Sequence, residues 1–166
     1  LNKPISVLSL KDLLTTTDPT AYFGDPKVAA YVLDVAKELQ EDSRGGGRYI
    51  GFADAHVILI DSDAGKNELD TAMIVAHEIG HALFKEQMTS TLENAGLYNR
   101  LFTEFQKARD AKDAPAAYKG KLGFEEWYAD QTANWAISEY NKDRKKGLVG
   151  AHFMKVARKL VTFYKA

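Results

Sequence analysis

The sequence contains no cysteine, which excludes any disulfide framework and any thiolate metal site; a metal ion would have to be held by histidine, aspartate or glutamate. No apolar run approaches the roughly 18 residues of a membrane span, and no secretory signal is visible. Charge of one sign is not in excess either. Against 23 acidic residues stand 22 basic ones, scattered apart from the short run "KDRKK" at Lys142 to Lys146. A nucleic acid or an anionic membrane needs a continuous basic footprint, so neither is an expected partner. What is present suffices for a core: with 45% hydrophobic and 11% aromatic residues in 166, one compact domain is expected. The chain starts at Leu1 rather than methionine, which suggests a processed product or a domain cut from a longer protein, secreted or cytoplasmic.

Along the chain, "SLKDLL" reads as a short helix in an otherwise mixed stretch up to Gly24. "DPKVAAYVLDVAKELQ" predicts a longer one, with Asp25 as cap, Pro26 at the first helical position and Val28, Val32, Val35 and Leu39 on one stripe. The glycines at 45 to 47 read as a flexible connector. "RYIGFA" and "HVILIDS" form a hairpin by pattern, the second apolar enough for an inner strand. A helix capped by Asn67 should then run to about Glu86, followed by helices in "TLENAGLYNRLFTEFQKARDA", "FEEWYADQTANWAISEYNKDRKK" and "HFMKVARKLVTFY". A small sheet followed by helices is an α+β domain.

The helix after the hairpin contains "IVAHEIGHALF". Residues four apart share a helix face, so His77 and His81 can direct both imidazoles at one point, and two neutral imidazoles are half of a tetrahedral zinc shell. Glu78 is placed to reach a metal-bound water instead of the metal. This is H-E-x-x-H, two ligands plus a general base. Gly80 costs about 1 kcal/mol in a helix interior, so another backbone is expected to pack closely there.

A catalytic zinc needs a third protein ligand. A metzincin would place a histidine six residues beyond His81, where this chain has Gln87. The later helix offers carboxylates instead: Glu126, Ala129, Asp130, Ala133 and Ile137 share an apolar stripe. Glu125 lies on a neighbouring face with Tyr128, Ala129, Thr132 and Ala136, so spacing prefers Glu126 only modestly. Asp130, one turn on, can accept a hydrogen bond from a ligand histidine and fix its tautomer. Trp127 is expected half-buried against a neighbouring helix.

"HEIGH" followed 45 residues after His81 by "EWYAD" resembles the gluzincins, zinc metallopeptidases with H-E-x-x-H and a downstream E-x-x-x-D. Over roughly residues 26 to 140 the layout is similar to the minigluzincins, to the catalytic domain of anthrax lethal factor and to the ImmA/IrrE metallopeptidases, the last also through "ILIDSD". The resemblance implies a small zincin-like domain: an N-terminal helix, a small twisted sheet and an active-site helix in an upper part to about residue 90, and a helical lower part over about 91 to 166. It implies Zn2+ bound by His77, His81 and Glu126, Glu78 as general base and Asp130 as partner of a ligand. It also implies that the strand near "YIGFA" is an edge that pairs with an extended protein or peptide substrate. For the oxyanion it offers Tyr118, eight residues before Glu126, with a plain loop tyrosine the competing reading; His152 is the other candidate, more readily a capping or surface residue. His56 reads as structural.

The function expected is therefore zinc-dependent endopeptidase activity. The lethal-factor-like layout and the Leu1 start extend this to an effector or toxin domain of a larger secreted protein. The alternative is a zinc-containing regulatory or protein-binding module of ImmA/IrrE type with little general proteolysis.

Overall fold

The computed structural model describes residues 3–42, 46–61, 63–88 and 95–140. Among these the order is β1 (Ile5–Ser9), α1 (Leu10–Thr15), α2 (Thr20–Phe23), α3 (Pro26–Glu41), β2 (Gly47–Gly51), β3 (His56–Ile60), α4 (Glu68–Met88), α5 (Ala95–Asp110), a 3-10 turn at Ala116–Lys119 and α6 (Gly123–Tyr140). The protein is α+β, as expected. The helix expected in "HFMKVARKLVTFY", the basic run at Lys142 to Lys146 and the opening "TLEN" of the helix expected in "TLENAGLYNRLFTEFQKARDA" lie outside the described residues. No helix among the described residues is long and apolar enough to cross a membrane. The chain divides into two compact units, Leu1–Glu78 and Ile79–Ala166, with the boundary inside α4.

In the first unit β3 is the central strand of a sheet in the order β1-β3-β2. β2 pairs with it antiparallel, from Gly47 opposite Ile60 to Gly51 opposite His56, as the hairpin pattern predicts. All five residues of β3 are buried, which explains why "HVILI" reads as a continuous apolar run instead of an alternation. β1 is a correction to the sequence reading. Ile5 to Ser9 pair in parallel with His56 to Ile60, and Ser9 then accepts a hydrogen bond from the Asp12 amide to start α1. The partner strand is some fifty positions away, so no local pattern announces this pairing.

α3 begins as its sequence dictates: the Asp25 carboxylate accepts from the Lys27 amide at 2.8 Å, and Pro26 takes the first turn. Its buried stripe is Ala29, Val32, Ala36 and Leu39, packed with Leu10 and Leu13 into an aliphatic core. Gly47 is no connector. It opens β2, and a Cβ there would lie 2.8 Å from the Glu78 Cγ, so only glycine lets that strand start so close to α4. α4 itself starts on Asn67, whose side-chain oxygen accepts from the Asp70 amide at 2.9 Å; Asp70 in turn accepts from the Lys66 amide.

The second unit has an aromatic core. The Phe124 ring meets Phe84, Tyr98, Phe102 and Phe105 at centroid separations of 5.2 to 5.4 Å and stacks on Trp127 at 6.0 Å. Trp127 is thereby buried beyond the half-burial expected of it. Gly80 does what its helical position suggests: a Cβ there would sit 2.6 Å from the Ala129 Cα, so α6 main chain lies directly on α4 at this level.

Candidate metal centre

His77 and His81 lie one helical turn apart on α4, and α6 contributes Glu126; one donor atom from each gives a set lying within 4.8 Å of one another. The His81 Nε2 is 3.9 Å from the Glu126 Oε1, too long for a hydrogen bond. Zinc bonded at about 2.0–2.1 Å would set tetrahedral donors roughly 3.3 Å apart, so these side chains need only small rotations to share one ion. Two imidazoles and one carboxylate are a donor set suited to zinc, and three protein ligands leave a fourth position for water.

His81 is held from behind. Its Nδ1 lies 2.9 Å from the Glu125 Oε1, while the Glu125 Oε2 is 3.0 Å from the Lys85 Nζ. Burial works to lift the Glu125 pKa, but hydrogen bonds from His81 and Lys85, together with the Lys85 charge, carry it below the usual carboxylate value. Glu125 is therefore held as an anion, placed to accept a hydrogen bond from the His81 Nδ1. Sequence reasoning weighed Glu125 only as the less favoured third ligand, not as a partner of His81. The α6 faces also fall differently from the expected pattern: Glu125, Tyr128, Ala129, Thr132 and Ala136 are buried, whereas the Glu126 side chain keeps 30% of its surface at the margin, where it reaches His81. The available signal was Lys85, one turn beyond His81 on the same helix face.

Glu78 is buried at 8% exposure, with its side chain against the start of β2 at Gly47. Asp130 accepts a hydrogen bond from the Tyr118 hydroxyl at 2.7 Å. Tyr118, buried on the 3-10 turn, has its pKa pushed well above the usual tyrosine value, first by burial and then by Asp130 and Glu126, so it stays a protonated donor. Gln87, at the position where a metzincin carries its third histidine, accepts from the Tyr128 hydroxyl at 3.1 Å. His56 is buried in β3 with its Nδ1 2.9 Å from the Tyr49 hydroxyl, in keeping with a structural part. His152 lies outside the described residues.

A comparison of the chain with protein-family models, curated proteins and solved structures finds no match.

Proposed function

We propose that the chain is a zinc-dependent endopeptidase of gluzincin type, acting on peptide bonds of a protein substrate. The observation that carries this reading is the convergence of the His77, His81 and Glu126 donors, with Glu78 in the same helical turn. His77, His81 and Glu126 would hold a zinc ion there, which would supply Lewis acidity for a carbonyl and a water of lowered pKa. The remaining work belongs to side chains. The Glu78 carboxylate takes a proton from the attacking water and passes it to the leaving amine nitrogen. The Tyr118 hydroxyl exchanges Asp130 for the oxyanion of the substrate and donates to it. β2, paired only with β3 among the described residues, aligns an extended substrate by main-chain hydrogen bonds, and Gly47 sets its head beside Glu78.

The test is digestion of a diverse peptide library by zinc-loaded protein, read by mass spectrometry, with Glu78→Gln alongside. Cuts by the wild type that disappear in Glu78→Gln, while one zinc per chain is kept, are the expected result. Near-normal cutting by Glu78→Gln would remove Glu78 as the base. One bound zinc with no cuts would favour the protein-binding module.

A further inference from the structure

We propose that Glu125, braced by Lys85, is a positioning residue that selects the tautomer of His81 and so presents its Nε2 as a ligand. This rests on the zinc reading of His81. Glu125 bridges two groups of α4 that stand four residues apart, accepting at Oε1 from the His81 Nδ1 (2.9 Å) and at Oε2 from the Lys85 Nζ (3.0 Å). A carboxylate facing an ammonium can only accept, so the imidazole proton is confined to Nδ1. The Nε2 lone pair is then turned towards the Glu126 Oε1 at 3.9 Å.

Lys85 gives the arrangement a polarity that an isolated histidine–carboxylate pair lacks. An amide at position 125 carries one acceptor and one donor end, and the Lys85 ammonium would draw the oxygen to itself. The amide NH2 would then face the His81 Nδ1, which would have to accept, and the proton would move to Nε2. Replacing the carboxylate by its isostere should therefore reverse the tautomer and leave the fold in place.

The experiment records imidazole nitrogen shifts of 15N-labelled, metal-free protein at alkaline pH, and zinc affinity by competition with a chelating dye. Wild type should show a protonated His81 Nδ1. Glu125→Gln should show a protonated Nε2 and bind zinc about 10–100-fold more weakly, with thermal unfolding close to wild type. Adding Lys85→Met to Glu125→Gln frees the amide to turn, so the double variant should recover the Nδ1 proton and part of the zinc affinity. Glu125→Gln with the wild-type tautomer and wild-type affinity would overturn the proposal, as would a double variant no different from the single one. If the wild type takes up no zinc, the zinc reading falls, and the tautomer pattern in metal-free protein still decides whether Glu125 and Lys85 position His81.

Discussion

The two compact units are built from different side chains. The core of the first is aliphatic, with Leu13, Val32 and Leu59 almost fully enclosed, and among its described residues the buried polar ones are His56 and Glu78. The second is centred on Phe124 and four neighbouring phenylalanines and tyrosines, and it encloses His81, Glu125 and Thr132 among them. Aliphatic side chains fill space but offer no hydrogen bonds. Tyrosines do both: Tyr118 and Tyr128 bury their rings while their hydroxyls serve Asp130 and Gln87. A helix face that must enclose charged groups beside its core is served better by the second kind of packing, because each buried polar atom needs a partner.

Substitutions can break or sharpen this contrast. The largest effect is expected from His81→Ala, which removes one of the three proposed ligands: stoichiometric zinc uptake, measured by metal analysis of dialysed protein, should be lost. Tyr118→Phe should keep the zinc and lower kcat by roughly 10²–10³-fold, and an unchanged kcat would leave Tyr118 a purely structural partner of Asp130. Phe105→Ala and Leu59→Ala, one from each core, should each lower unfolding free energy in urea by about 3–4 kcal/mol. Only Phe105→Ala is expected to weaken zinc binding at temperatures where both variants are folded; equal weakening would mean that the aliphatic core supports the ligands as much as the aromatic one. Gly80→Ala sets a gain of about 1 kcal/mol in helix propensity against a backbone collision costing about 1–3 kcal/mol, so a lower Tm and weaker zinc binding together are expected. Tyr128→Phe, which deletes one hydroxyl, should cost about 1 kcal/mol in urea unfolding and leave zinc affinity unchanged.

Much of this was legible because the signals are local. Asp25 and Pro26 start α3, Asn67 caps α4, and the apolar run of β3 marks the inner strand of a hairpin. Gly80 announced a close backbone before any partner was known. β1 escaped because parallel pairing across some fifty residues leaves no mark in five residues that are themselves only partly buried. Glu125 escaped for another reason. It and Glu126 differ by about 100° around α6, and both neighbouring faces carry apolar residues, so period alone cannot say which acid turns inward. That is decided by how α6 rolls against α4, which follows from the Gly80 contact with Ala129 and from the aromatic packing around Phe124.

That contact has a mechanical side. The α6 main chain rests on Gly80 at Ala129, and a tilt of α6 about that contact would use Ala129 as its fulcrum. Glu126 is three residues from the fulcrum, a lever arm of about 4.5 Å, whereas Tyr140 is eleven residues away, about 16 Å along the helix. A tilt of about 5° would move the far end by roughly 1.4 Å but the Glu126 backbone by only about 0.4 Å. Substitutions or bound partners that disturb the distal turns of α6 would thus reach Glu126 strongly attenuated, and the donors on α6 would hold their distance from His81 through fluctuations that visibly displace the rest of the helix.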